Sequence, residues 1–218
     1  ETSEFIGRVL SGDRLPQFTS CCPAWVKTVE QYYPEKLAQL SSCRSPQQMF
    51  GSLLKTYYSR QANVEPADLF SVSVMPCTAK KFEAQRPEFS RDGVADVDAV
   101  LTTQELARMI RAAGIVFDEL EEESFDAPFN FASGAGVIYG ATGGVATAVV
   151  REATHMLTGK RIANLELEPV AGLPGVSAAE LQLGEREVRV AVVSGLGNAR
   201  NLVAAMDRGD VSFDIVEV

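Results

Sequence analysis

What the sequence has little of narrows its class before any motif is read. Positive charge is scarce: 20 Lys and Arg stand against 29 Asp and Glu, for a net charge of −9. With no basic stripe either, nucleic-acid binding is excluded. No run of 18 apolar residues occurs, so no membrane-spanning helix is expected. The four cysteines, two of them adjacent, are too few and too irregular for a disulfide framework, and point to a cytosolic or anaerobic reducing setting. No Cys-x-x-Cys-x-x-Cys pattern of the ferredoxin kind is present. The only histidine, His155, falls inside a predicted helix and reads as structural. The glycines of 134–140 have the wrong spacing for a dinucleotide loop, G-x-G-x-x-G. No signal peptide is visible. The chain opens on Glu1 rather than Met, inside a helical pattern, and is expected to begin within a longer gene or after trimming.

What is present suits a packed protein. Apolar residues make up 46% and charged residues 22%, which argues against disorder. A chain of 218 residues suits one large domain or two lobes around one site. Phe5, Ile6, Val9 and Leu10 recur at helical spacing and predict a helix over 1–11, ended by Ser11-Gly12-Asp13. Leu15 to Thr19 is a short extended run, and Pro23 opens a helix to about Tyr33. Ser45 is a candidate N-cap for a helix running through Met49, Leu53 and Tyr57. Strands are expected at 70–75, 99–101, 165–168, 181–183, 188–193 and 213–218, with a hairpin turn at 184–187. Thr103 is expected to cap a helix to about Ala113, and further helices span about 145–157 and 199–206. Strands alternating with helices predict a two-lobed α/β fold. Each lobe is a small mixed or parallel sheet flanked by helices, with the active site between the lobes. The acidic stretch 119–124 reads as a lobe boundary, dividing the chain into 1–125 and 126–218.

Two stretches carry the chemistry: Thr19-Ser20-Cys21-Cys22-Pro23-Ala24-Trp25 and Met75-Pro76-Cys77-Thr78-Ala79-Lys80-Lys81-Phe82-Glu83. Each sets cysteine beside proline where a predicted strand gives way to a helix. Helix N-termini present free N–H groups that favour thiolate, so such a cysteine suits a metal ligand. A buried, inert thiol is the ordinary alternative. All four cysteines could be proposed as one metal set. However, adjacent Cys21 and Cys22 sit awkwardly for a shared ion, and Cys43 has no ligand-like spacing to Cys22 or Cys77.

The two stretches resemble the first two signature motifs of the iron–iron (FeFe) hydrogenases. The resemblance continues through Leu40-Ser41-Ser42, Ser45-Pro46-Gln47-Gln48, 98–103 and 134–144, and covers nearly the whole chain. It implies reversible interconversion of dihydrogen with protons and electrons at a 4Fe–4S cluster bridged to a two-iron subcluster. Cys22 and Cys77 would be two of the four cysteines holding the 4Fe–4S cluster. Cys21 would be the proton-donating thiol, with Glu1, Ser41 and Glu4 as the proton route and Arg8 at its outer end. Lys80 would face the anionic ligands of the two-iron unit, with Glu83 orienting it, while Met75, Pro76, Gln47 and Tyr139 would line the pocket. A phenylalanine is the more usual residue in the place of Tyr139.

In the family the other two cysteines lie in a third motif, directly after a strand like 213–218. The chain stops at Val218, so three expectations stand: the motif lies beyond Val218, another chain supplies it, or the cluster is not built. The 218 residues alone are accordingly expected to be inactive, with the cofactor absent. The resemblance also implies ferredoxin, another redox partner or an upstream iron–sulfur domain as electron source. It implies maturation proteins and a cytoplasmic location, with a periplasmic one left open. The rival reading is a non-enzymatic relative serving iron–sulfur assembly or sensing, against which Cys21, Lys80, Met75 and Glu83 speak. A nucleotide-binding α/β domain is disfavoured by the glycine spacing.

Overall fold

The computed structural model describes residues 1–126, 129, 134–162 and 165–218. In chain order the helices and strands begin with α1 (Thr2–Ser11), β1 (Gln17–Phe18) and α2 (Pro23–Tyr32). Next come α3 (Pro46–Leu53), a π turn (Leu54–Tyr58), α4 (Ser59–Ala62), β2 (Val72–Met75) and α5 (Ala79–Ala84). They are followed by β3 (Ser90–Arg91), β4 (Val94–Ala95), β5 (Ala99–Thr102) and α6 (Thr103–Ala112). The last elements are α7 (Gly134–Ile138), α8 (Gly144–Thr158), β6 (Glu168–Pro169), β7 (Val176–Leu183), β8 (Arg186–Val193), α9 (Leu196–Asp207) and β9 (Ile215–Glu217).

These elements group into two units, Glu1–Cys43 with Ala132–Val218, and Arg44–Phe131. The contiguous division at 125/126 is therefore replaced by a discontinuous one. The reason is the pairing of β1 with β9, Gln17 opposite Ile215 and Phe18 opposite Val216, which draws the first 43 residues to the end of the chain.

In the first unit a five-stranded sheet runs β1-β9-β8-β7-β6. β9 lies parallel to both β1 and β8, whereas β7 and β8 form an antiparallel hairpin. The expected four-residue turn is shorter than read, because the strands close to Gly184-Glu185, with Gly184 at φ +65°. The expected strand at 165–168 contracts to Glu168–Pro169. Alternation in the strands sends side chains to two faces. Val190 and Ile215 meet Phe5 and Val9 of α1 and Val149, Val150 and Ala153 of α8. Val216 and Phe18 meet Trp25 and Val29 of α2 and Leu202 and Val203 of α9 on the other. Trp25, Phe5 and Ile215 are fully buried. Each such large apolar side chain contributes roughly 1.5–3 kcal/mol of transfer free energy.

The second unit holds β2 and β5 as a parallel pair, Val72 opposite Ala99 through Met75 opposite Thr102. The helix after β5 is capped by Thr102 rather than the expected Thr103. The Thr102 hydroxyl accepts the Glu105 N–H at 3.1 Å, and the Glu105 carboxylate accepts the Thr102 N–H at 2.8 Å. Ser45 caps α3, its hydroxyl accepting the Gln48 N–H. The helical path expected through Tyr57 passes into the π turn there. Lys55, buried in that turn, donates to Asp98 at 2.8 Å and to the Leu69 carbonyl. Asp98 in turn accepts the Ser71 N–H at 2.6 Å. Gly51 allows α3 to meet the 96–97 backbone, since a Cβ there would lie 2.6 Å from the Asp96 carbonyl oxygen.

Candidate functional site: thiols, carboxylates and a buried lysine

The first cysteine stretch hangs on the sheet. The Thr19 N–H donates to the Val216 carbonyl at 3.0 Å, extending the β1–β9 ladder by one residue. Cys22 then takes the N-cap position of α2 in extended conformation (φ −94°), and Pro23 enters the first turn, where its missing N–H costs nothing. Cys22 is half-buried against the Phe18, Trp25 and Val29 core. Cys21 is also half-buried, its Sγ 3.7 Å from the Thr19 hydroxyl. Burial pushes the Cys21 thiol up to about 11, with Thr19 pulling the other way and the Glu217 and Glu1 carboxylates adding to the rise. The thiol is thus held protonated at neutral pH. Cys43 sits beside this segment, its carbonyl accepting the Ser20 hydroxyl at 2.5 Å.

Helix α1 brings Glu4 and Arg8 one turn apart, and Arg8 Nη2 reaches Glu4 Oε1 at 2.6 Å. Arg8 is buried and also donates to the Gln39 and Leu40 carbonyls at 2.9 and 2.8 Å, so it fastens α1 to the segment entering Ser41. The Ser41 hydroxyl donates to Glu4 Oε2 at 2.9 Å, and the Ser42 N–H reaches both Glu4 oxygens at 3.1 Å. Burial alone would raise the Glu4 carboxyl. The Ser42 and Ser41 hydrogen bonds and Arg8 outweigh it and hold Glu4 below its ordinary value. Glu1 goes the other way: burial raises it, and the Glu4 and Glu217 carboxylates add to the rise. Glu1 and Glu4 are thus two carboxyls of one unit whose proton affinities are pushed apart. In this unit the structure brings together Glu1, Glu4, Arg8, Ser41 and Cys21, and adds two residues that sequence reasoning missed, Thr19 and Glu217. Glu217 left one signal, a carboxylate at an alternating position in an otherwise apolar strand.

Tyr139 follows α7 and is 42% exposed. Burial, then the charges of Glu1, Cys43 and Cys21, raise its phenol, which places the ring in the field of the same group. The glycines around it divide by role. A Cβ on Gly134 or Gly140 would meet nothing within 4 Å, whereas one on Gly144 would lie 1.8 Å from the Ile138 carbonyl oxygen. Gly144 is thus required by the α7–α8 junction itself.

The second cysteine stretch leaves β2 with Met75 half-buried and Pro76 and Cys77 exposed. Lys80 and Glu83, three apart on α5, form a buried ion pair at 3.1 Å. Glu83 also accepts from the Ser45 hydroxyl at 2.9 Å and the Gln47 amide at 3.1 Å. The Ser73 hydroxyl donates to Gln47 Oε1 at 2.9 Å. A buried charge pair needs such extra partners to offset its desolvation. Gln47, Lys80 and Glu83 are therefore one network, to which the structure adds Ser45 and Ser73.

Among the described residues no group of three or more His, Cys, Asp and Glu side chains could hold a metal ion. The donor chemistry available is soft: Cys22 at a helix N-cap in the first unit and Cys77 at a strand end in the second. Thiolates in such positions suit iron–sulfur ligation in preference to hard cations. No helix among the described residues is long and apolar enough to cross a membrane.

An α/β protein that presents thiols at the ends of its strands and helices, beside a carboxylate network, is the class the fold and these segments define. Its family is shown by comparison. The profile described as "Iron only hydrogenase large subunit, C-terminal domain" matches residues 1–218, and the chain belongs to that family. It is 43% identical over 218 residues to Iron hydrogenase 1 of Clostridium pasteurianum, covering all of this chain and 38% of that one. It is 42% identical to the Periplasmic Fe hydrogenase large subunit of Nitratidesulfovibrio vulgaris, covering all of this chain and 52% of that one. The Cytosolic iron-sulfur assembly component 3 of Rattus norvegicus is 34% identical, over 95% of this chain and 45% of that one. Among solved structures, a variant of the apo FeFe-hydrogenase HydA1 from Chlamydomonas reinhardtii superposes with a TM-score of 0.88 at 34% identity. That match covers 99% of this chain and 62% of the other. The chain thus spans between about a third and two thirds of the length of these relatives.

Proposed function

We propose that the chain is part of the catalytic domain of an iron–iron hydrogenase, which oxidises dihydrogen reversibly to protons and electrons. The observation that carries this reading is the graded set of proton-holding groups in the first unit. A thiol with a pKa of about 11 neighbours a carboxyl held above its ordinary value, a hydroxyl, and a carboxyl held below it by Ser42, Ser41 and Arg8. Proton affinity falls from the thiol through the raised carboxyl to the lowered one, and the Ser41 hydroxyl, which both donates and accepts, serves as a carrier, as a relay from a dry interior to water requires.

Cys22 and Cys77 would ligate the 4Fe–4S cluster, and Lys80, Met75, Pro76, Gln47, Tyr139 and Glu83 would border the two-iron subcluster. When bound, this cofactor supplies the redox chemistry and the cleavage of dihydrogen. The protein's own part is binding and proton handling. Cys21 holds a proton where water is scarce and gives it up only to a partner at hydrogen-bond range. Ser41 passes a proton by rotating its hydroxyl between Glu1 and Glu4. The Ser42 and Ser41 hydrogen bonds, with Arg8, keep Glu4 ionised and so ready to accept. Lys80, paired with a Glu83 that Ser45 and Gln47 hold in place, would present a fixed ammonium to an anionic ligand without losing side-chain entropy on binding. Electrons would come from ferredoxin, another redox partner or an upstream iron–sulfur domain, and maturation proteins would deliver the cofactor. The protein would work in the cytoplasm, with the periplasm as the alternative, since one relative is named as periplasmic. The second reading, an assembly or sensing role, draws on the 34% identical assembly component but meets higher identity to the hydrogenases.

The test uses the full-length protein loaded with cofactor. Cys21→Ala is expected to lower dihydrogen evolution by about 10²-fold or more while leaving iron content unchanged. Cys22→Ala and Cys77→Ala are expected to lose iron. Iron loss in the Cys21 variant would reverse the assignment of the two neighbouring thiols, and turnover at the unmodified rate would sink the proton role.

A further inference from the structure

The first turn of α8 presents backbone N–H groups that its own N-cap cannot satisfy. The N-cap residue is Gly143, in the left-handed region at φ +82°, and it has no side chain to offer. Water is not at hand either, because Val145 and Ala146 are buried. Glu217, the last residue of β9 and itself buried, supplies the cap from the sheet. Its Oε1 accepts the Gly143 N–H at 3.0 Å and its Oε2 accepts the Ala146 N–H at 2.7 Å. The same strand end carries the thiol stretch, through the Thr19 N–H on the Val216 carbonyl and the Cys21 thiol beside the Thr19 hydroxyl. Adjacent residues 216 and 217 thus hold two segments that are far apart in sequence. The junction above the cap has no slack. Gly144 touches the Ile138 carbonyl so closely that no Cβ fits, and the Gly144 N–H donates to the Ala141 carbonyl at 2.9 Å. A shift of the first turn of α8 is therefore passed to 138–141 and to Tyr139.

We propose that Glu217 is a positioning residue: its carboxylate fixes the glycine segment, and with it Tyr139, in register with the Cys21 stretch on the end of β9. Its consequence for turnover rests on the proton role of Cys21 proposed above; its consequence for local geometry does not. A glutamine keeps one acceptor oxygen and can still hold one of the two N–H groups. An alanine holds neither.

The experiment compares the full-length protein with its Glu217→Ala, Glu217→Gln and Val150→Ala variants. Val150 is a core residue of α8 beyond its first turn, so its variant loses stability without touching the cap. In cofactor-free protein, alkylation of Cys21 by iodoacetamide is followed by fragment mass spectrometry, together with amide exchange at 143–146. Glu217→Ala is expected to accelerate both by about tenfold, Glu217→Gln by much less, and Val150→Ala to leave Cys21 alkylation at the unmodified rate. In loaded protein, Glu217→Ala is expected to lower kcat about tenfold with KM unchanged, and Glu217→Gln to recover part of it. Three results would overturn the proposal: equal alkylation in the Ala and Gln variants, which assigns the effect to charge; equal effects in Val150→Ala, which assigns it to stability; or no change in Glu217→Ala. Absence of dihydrogen turnover in the unmodified loaded protein would fell the functional reading instead, and alkylation and exchange would still decide Glu217.

Discussion

At the scale of single residues, the buried ion pair of Lys80 and Glu83 is the most consequential contact in the second unit. Both side chains are under one-tenth exposed, and Glu83 also gathers Ser45 and Gln47. Glu83→Ala would leave an ammonium and two polar groups buried without their common acceptor. The expected cost is about 3–5 kcal/mol, read as a lower denaturant midpoint in cofactor-free protein. Replacing both partners, with Lys80→Met and Glu83→Leu together, is expected to recover most of that loss, because no charge is then left in the interior. A double variant no more stable than Glu83→Ala would show that the loss came from packing rather than charge. The Glu4 carboxylate is different in kind. It is partly exposed and held by Arg8, Ser41 and Ser42, so its value lies in its ionisation state more than in stability.

At the scale of elements, two helices begin where a short polar side chain of their own sequence meets the first N–H groups. Ser45 and Thr102 cap α3 and α6 from their own sequence. Thr102→Ala is expected to cost about 1 kcal/mol, and Thr102→Ser to be close to neutral, measured by thermal or denaturant unfolding. Equal stability of Thr102→Ala and the unmodified chain would mean that packing alone holds α6 in place. Helix α8 instead starts at a glycine and borrows a carboxylate from β9. Helix α2 starts with Pro23 just inside and Cys22 at the cap, which fixes the direction in which that thiol leaves the helix.

At the scale of the whole molecule, two carboxylates make acid stability predictable. Burial would raise Asp98, but Lys55 and Ser71 outweigh it and hold it below its ordinary value; Glu4 is lowered as well. A folded pKa below the unfolded one means that the unfolded chain binds more protons. The stability from these groups is therefore present above the unfolded value and lost as pH falls through the folded one. Glu1 and Glu217, raised by burial, have the opposite sign: their folded forms hold protons longer, so stability declines as pH rises toward their raised values. Asp98→Asn is accordingly expected to lose less stability than the unmodified protein between about pH 7 and about pH 3. An unchanged difference between those two pH values would remove Asp98 from the account.

The sequence by itself determined the local features. Helical spacing in 1–11, β-branched alternation in 188–193 and the Ser45-Pro46 start all encode structure within a few residues, so they are legible without a fold. The two cysteine stretches were legible as well, because long motifs carry the family directly, and the family match over the full chain agrees. The tertiary structure alone decided what depends on residues distant in sequence. The pairing of β1 with β9 replaced two contiguous lobes by a discontinuous division. The Thr102 cap was misplaced by one residue, because threonines at 102 and 103 both satisfy the local rule and only the backbone direction leaving β5 separates them. Glu217 and Gly143 stand 74 positions apart, and nothing in either neighbourhood announces the bond between them. Local spacing fixes which atoms face the same way along one element; strand order and register fix which elements meet, and both are set by the apolar burial of the whole chain.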